Sequence, residues 1–186
     1  MYSFTRCKEP SCPRYATHAS GYCLEHDPAQ DLRPTLSSSV LDSVSISDWR
    51  WDTKDLSGKR ILGSLFGYST FHSVSFARTT VLNSNFSFCL FEKCVFDEST
   101  IRYSIFSGST FLGCTFRNSR ITHTNFNGSV FSDCDASGSD LYYSSFAHAH
   151  LHDTKLEDCN VRKADFRHTL QENLSFRWSN YRERLR

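Results

Sequence analysis

Long apolar runs are missing from this sequence: nowhere in its 186 residues do roughly eighteen apolar residues follow one another, the length that crossing a membrane as a helix requires. No basic, apolar, small-residue leader opens it, so neither membrane insertion nor secretion is expected, and a cytoplasmic protein is. Charge of one sign is missing as well. With a net charge of +1, the chain as a whole suggests no polyelectrolyte partner. A catalytic grouping is also absent from the pattern, because the serines of the long middle section recur in one register without a His or Asp placed to activate them. An enzyme is therefore not expected. His148, His150 and His152 alternate in a spacing that can bind metal, but they read as a solvated patch.

What is present is a period. Every fifth residue from Ile61 to Phe166 is apolar, twenty-two positions without interruption in a chain that is 39% apolar. Independent draws at that frequency would give such a run once in ~10^9 trials. Two residues before each from Phe66 on stands a small side chain, as at Ser64, Ser84, Cys94, Thr124 and Ala164. A period of five fits neither the 3.6 of a helix nor the 2 of a strand, so the repeat is an architecture of its own.

Every twentieth residue sorts by type. The first column reads Ile61, Val81, Ile101, Ile121, Leu141, Val161, and the second is Phe throughout from Phe66 to Phe166. The third runs Phe71, Phe91, Phe111, Phe131, Leu151, and the fourth Phe76, Phe96, Phe116, Ala136, Leu156. Such sorting implies a coil of four five-residue sides, named first to fourth after these columns, with like stacked on like. The large residue and the small one two before it point inward, and the other three face water. Adjacent coils would pair as short parallel strands about 4.8 Å apart, five and a half coils making a rod of about 26 Å.

The segments "SNFSF", "TNFNG", "SDLYY" and "ADFRH" resemble the motif of the pentapeptide repeat family, A-(D/N)-L-x-x with Leu or Phe at its centre, over at least residues 61–166. The resemblance implies an all-β solenoid, a right-handed quadrilateral parallel β-helix. This copy uses Ser and Cys more than Ala at the small site and Phe more than Leu at the centre, changes that suit the same interior. Five of the eight cysteines, Cys89, Cys94, Cys114, Cys134 and Cys159, take the inward small site and read as buried small hydrophobes. Cys94, Cys114 and Cys134 fall one coil apart, near disulfide reach, with reduced thiols expected.

Residues 1–28 differ in kind. Cys7, Cys12, Cys23 and His26 form C-x4-C-x10-C-x2-H, with Pro10, Pro13 and Gly21 placed for tight turns. Three thiolates and an imidazole close a tetrahedral structural Zn2+ site, and a segment this short could not otherwise build a core. The pattern resembles small zinc knuckles, with His18 as the rival ligand. Residues 29–37 read as a linker and the β-helix is placed at 38–166. "SDWRWDTKD" puts Trp49 and Lys54 where small residues belong, and reads as an irregular side or bulged loop. Trp49 and Trp51 are an edge cover or a partner-binding anchor.

The first side exposes Arg60, Arg102, Arg120, Arg162 and Lys163 against the single acid Asp140, together with Tyr103, His123, Tyr142 and Tyr143. The fourth side is acidic, with Asp97, Glu98, Asp135, Glu157 and Asp158 against Arg78, Arg117 and Lys155. A basic, aromatic strip beside an acidic one suggests a polar recognition surface. In residues 167–186, Thr169 and Glu172 read as a capping box, and Leu170, Leu174, Trp178, Tyr181 and Leu185 as the apolar face of a helix capping the last coil. The family resemblance also allows a homodimer through this C-terminal end.

These features point first to a non-enzymatic scaffold or adaptor that presents side chains at fixed spacing to a protein partner. A nucleic-acid-associated role through the knuckle, the basic side and the Arg-rich tail is the second reading. The resemblance offers a third, since some pentapeptide repeat proteins protect DNA gyrase by imitating duplex DNA. That requires an acidic rod, and residues 56–166 hold ten basic and ten acidic residues.

Overall fold

The computed structural model describes residues 5–13, 16, 21–23, 26 and 37–180. From Val40 onward the chain turns a corner every fifth residue. Each corner is one residue in the left-handed region, from Ser43 (φ 54°) to Trp178 (φ 62°), and twenty-two of these corners are not glycine. L side chains avoid this region by about 1–2 kcal/mol, so the surrounding backbone must impose it. Hydrogen bonds between coils do so: Asp48 N donates to Gly67 O (3.0 Å), Arg78 N to Asp97 O (2.9 Å) and Asn118 N to Ser137 O (3.0 Å). Only one corner, Thr53, is β-branched, in keeping with the steric limit.

Two opposite sides are parallel sheets. The first side carries β1 (Val40–Asp42), β3 (Arg60–Leu62), β5 (Thr80–Leu82), β7 (Thr100–Arg102) and β9 (Arg120–Thr122). The third carries β2 (Arg50–Asp52), β4 (Thr70–His72), β6 (Leu90–Glu92), β8 (Thr110–Leu112), β10 (Val130–Ser132), β11 (His150–His152) and β12 (Leu170–Glu172). Register is twenty throughout, so Ile61 lies between Leu41 and Val81, and Phe91 between Phe71 and Phe111. Single bridges such as Ser45–Leu65–Asn85 and Asp55–Ser75–Val95 join the second and fourth sides. The result is a four-sided parallel β-solenoid of about 7 turns, ~34 Å long. It exceeds the expected five and a half coils because the winding starts before, and ends after, the unbroken apolar run.

The interior is stacked rings. Phe66, Phe86, Phe106, Phe126, Phe146 and Phe166 lie face to face at 4.8–5.2 Å. The third column stacks the same way, and neighbouring columns meet edge to face, as Phe71 and Phe76 do (5.6 Å, 64°). Both geometries favour the ring quadrupole. The small inward residues explain themselves through hydrogen bonds. Ser64 N donates to Ser84 Oγ (3.1 Å) and Ser84 N to Ser104 Oγ (3.2 Å), while Ser144 Oγ donates back to Ile121 O (2.9 Å). Alanine would fit the space but leave those buried N–H groups without this acceptor.

Two local expectations fail. Residues 49–57 form no bulge: Trp51 takes the central inward place on β2, 1% exposed and stacked on Phe71 at 5.7 Å, with Trp49 half-buried beside it. Among the described residues no layer of rings precedes this end coil, which leaves room for an indole. The capping helix over 167–186 is also absent among the described residues. The chain instead winds on, with β12 paired to β11 and Ser175 bridged to Lys155. Thr169 Oγ1 donates to Phe166 O (2.9 Å) as an inward small residue, and Ser179 takes the corresponding site two sides later. The edge of the preceding coil offers a ready hydrogen-bonding template, whereas a helix of this length with no packed face is marginal. Residues 181–186, with Tyr181 and Leu185, lie outside the described residues.

Candidate metal centre and aromatic edges

Cys7, Cys12, Cys23 and His26 come together, their ligand atoms all within 4.8 Å of one another. Short backbone bonds fold the loops that deliver them: Lys8 N to Gly21 O (2.8 Å), Cys12 N to Glu9 O (3.0 Å) and His26 N to Cys23 O (3.1 Å). Gly21 sits at φ 76°, and a Cβ there would run into the Lys8 side chain. Metal–sulfur bonds of about 2.3 Å and metal–nitrogen bonds of about 2.0 Å in a tetrahedron require S–S edges near 3.8 Å and S–N edges near 3.5 Å. The observed separations are 3.8 Å for Cys12 Sγ to Cys23 Sγ, 3.6 Å for Cys7 Sγ to His26 Nδ1 and 3.4 Å for Cys23 Sγ to His26 Nδ1. The donor set therefore fits a tetrahedral ion, and these four residues could hold one. Burial alone would raise the Cys7 thiol. The N–H groups of Cys23 and Glu9, with the His26 and Cys23 side chains, outweigh it and bring the thiol down to about 6. The rival ligand His18 lies outside the described residues.

Three of the five thiols inside the solenoid behave in the opposite way, while hydrogen bonds with Cys114 lower Cys94 and Cys134. Burial pushes Cys89 up to about 12 and Cys159 up to about 11, and Cys114 is raised by its neighbours Cys134 and Cys94 as well as by burial. All five are free thiols.

The first side and its corner form the second candidate. Tyr103, His123, Tyr143 and Lys163 occupy one corner column. Tyr103 meets His123 at 5.0 Å, and His123 stacks on Tyr143 at 5.2 Å and 10°. Tyr142, half-buried, packs edge-on against Tyr143 (4.9 Å, 82°). Cations close both ends of the ladder: the Arg102 guanidinium lies 5.2 Å from the Tyr103 ring centre and Lys163 Nζ 5.0 Å from that of Tyr143. Such contacts hold a cation in place without neutralising it. Arg120 Nε stands 3.9 Å from Asp140, whose other oxygen accepts from Tyr142 N and Asn160 Nδ2. Arg60 and Arg162 are exposed farther along the side. Trp51, expected as an anchor, is removed from the surface by its place in the core, and Trp49 is only half accessible.

Sequence reasoning missed a second aromatic corner. Tyr68 and Phe88 stack at 5.3 Å, and His148 and His168 at 4.9 Å, along the column between the second and third sides. Reading every twentieth corner residue would have found both pairs.

Residues 82–118, 94–133, 111–142 and 129–167 match the family of pentapeptide repeats, in 8 copies. No curated protein sequence matches the chain. Among solved structures it is similar to trypsin-treated QnrB1, a plasmid-mediated fluoroquinolone resistance protein (18% identity, TM-score 0.40, covering 77% of this chain and 90% of that one). It is also similar to a pentapeptide repeat protein from the Arabidopsis thaliana thylakoid lumen (14% identity, TM-score 0.36, 63% and 65%). A third is HetL, involved in heterocyst differentiation regulation in Nostoc sp. strain PCC 7120 (10% identity, TM-score 0.27, 75% and 90%). The five-residue frame and the left-handed corners run through residues 82–167, the stretch that matches the family of pentapeptide repeats.

Proposed function

We propose that the protein is a non-enzymatic scaffold that binds a protein partner through the basic, aromatic first side, with a structural zinc ion organising its N-terminal segment. The observation that carries this reading is the Arg102–Tyr103–His123–Tyr143–Lys163 column, in which rings and cations are held at coil spacing on a rigid backbone. Aromatic and arginine side chains fixed in advance lose little entropy on binding. When bound, zinc would crosslink loops that have little core of their own, through the thiolates of Cys7, Cys12 and Cys23 and the imidazole of His26.

The test is affinity capture with the wild-type chain beside a variant carrying Arg102→Ala, Tyr103→Ala, Arg120→Ala and Tyr143→Ala. The expected result is a protein retained by the first and lost from the second, while both melt at similar temperatures. Equal capture by both would overturn the assignment of the face. A nucleic-acid partner is the second reading, favoured by the same cations. It predicts binding that weakens steeply with salt. Gyrase protection by DNA mimicry is disfavoured by ten basic residues against ten acidic in 56–166.

A further inference from the structure

The second side differs from the others in charge. Apart from the corner residue Asp48, its outward residues from Ser45 to Ala147, among them Asn85, Ile105, Ser107, Asn125 and Asn127, include no Asp, Glu, Lys or Arg, whereas each other side carries several. The exposed rings gather at the edges of this same side. Of the seven large hydrophobic residues exposed among the described residues, four stand on its two corner columns: Tyr68 (46%) and Phe88 (56%) on one, Tyr103 (52%) and Tyr143 (48%) on the other. A patch without charge, bordered by aromatics, has the composition of an interface core.

The bulk steps from one edge to the other along the axis. The corner shared with the first side reads Gly63, Asn83, Tyr103, His123, and the corner shared with the third reads Tyr68, Phe88, Gly108, Gly128. Over these four coils a ring on one edge faces a smaller residue on the other, while in the next coil Tyr143 stands opposite His148. Gly63 has only Ser43 Oγ within 4 Å of where a Cβ would lie, at 3.8 Å, and Gly128 has nothing. The Phe88 ring lies over Gly108.

We propose that a second copy of this chain docks on the second side, the two solenoids running parallel about a two-fold axis. That operation sets each corner column against the other one of the second copy at the same height. Tyr68 and Phe88 then meet Gly63 and Asn83 of the second copy, Tyr103 meets the Phe88 ring over Gly108, and His123 meets the open space at Gly128. An antiparallel two-fold pair would instead set each corner column against itself, rings against rings. Charge does not oppose a like partner here: the first side, with five cations against Asp42 and Asp140, would repel its own copy, and the second side, with Asp48 alone over these coils, would not. Six coils of about 4.8 Å and one five-residue side of about 16 Å give a footprint near 450 Å² per copy. The pair buries about 900 Å², below the size of a standard specific interface, so weak association, no tighter than micromolar, is expected. The arginines of the first side stay outside the pair, and the proposal stands whether or not that side binds another protein.

Sedimentation equilibrium of the full chain, from about 5 to 200 µM to suit an interface of this size, is expected to show a monomer–dimer equilibrium. A variant with Ser107→Glu and Ala147→Glu should dimerise at least tenfold more weakly, and Thr110→Glu on the third side should leave dimerisation unchanged. Mixing an Asn83→Cys chain with a Phe88→Cys chain under mild oxidation should give the mixed covalent dimer in preference to either homodimer. A monomer throughout the concentration range overturns the proposal. So does a dimer insensitive to the two glutamates, and preferential Asn83→Cys homodimers would overturn the parallel arrangement.

Discussion

Ala136 lies in register directly beyond Phe116, joined to its coil by the bond from Phe116 N to Asp135 O (2.8 Å), and the ring stack Phe76–Phe96–Phe116 ends there. The missing ring leaves a cavity bounded by Phe116, Phe131, Cys134, Ala136, Leu151 and Leu156. An apolar hollow of this kind stays dry and loses dispersion contacts on every wall.

Filling it should stabilise the fold. Ala136→Leu is expected to gain about 1 kcal/mol, raising Tm by about 2–4 °C in a chain of this size. Phe106→Ala, removing a ring from a continuous stack, should cost about 3–5 kcal/mol. Thermal denaturation followed by far-UV circular dichroism measures both, and a destabilised Ala136→Leu would mean that the walls cannot accept a branched side chain.

Gly108→Ala should destabilise by about 1 kcal/mol or more. The residue sits at φ 67°, and the new Cβ would fall 2.6 Å from the Phe88 ring. The ring must swing away, so the same variant should also weaken self-association in sedimentation experiments, which Gly58→Ala, with nothing near its Cβ, should not.

Much of this was legible beforehand. The five-residue frame placed the core from Ile61 to Phe166 because one constraint, an inward apolar residue at each side, recurs without exception. The terminal coils were misread because the constraint relaxes there. Trp51 fits an end layer, and Gln171 occupies an inward place while remaining exposed. Leu170, Leu174 and Trp178 repeat at four and imitate a helix, yet Trp178 is simply a corner residue, 71% exposed with Arg177 over its ring. That Cys7, Cys12, Cys23 and His26 come together, in a group that could hold a metal ion, was legible from spacing alone. The stepped edges were not, since they emerge only when outward residues are read down the corners.

Thiol chemistry should separate two populations. Loaded with zinc, the native chain should react with no aromatic disulfide reagent. After chelation Cys7, Cys12 and Cys23 should titrate, and the five buried thiols only on unfolding. Because the metal-free Cys7 thiol is lowered to about 6, it is a thiolate above that pH and protonates as pH falls through it, so zinc affinity, measured by competition with a chromogenic chelator, should weaken as pH falls through about 6. Early reaction of Cys89 or Cys159 would contradict their burial.

Acid should act through Asp135. Burial opposes its ionisation, but hydrogen bonds from Ser137 Oγ (2.6 Å) and N (3.0 Å) and from Arg117 Nε (2.9 Å) prevail and hold the carboxyl below its ordinary range. A lowered folded value contributes stability above the unfolded carboxylate value of about 4 and loses it as pH falls below. Asp135→Asn should therefore lower Tm at pH 7 and change it little at pH 2.

The left-handed corners, one in every five residues, give this chain a gearing. Deleting twenty residues would remove one storey and leave every column above and below in line. Deleting five would rotate all that follows by a quarter turn, carrying Tyr143 and Lys163 onto a different wall from Tyr103. Length can therefore drift between such proteins only in whole storeys if a surface is to survive, and a cut of any other size trades one wall for another.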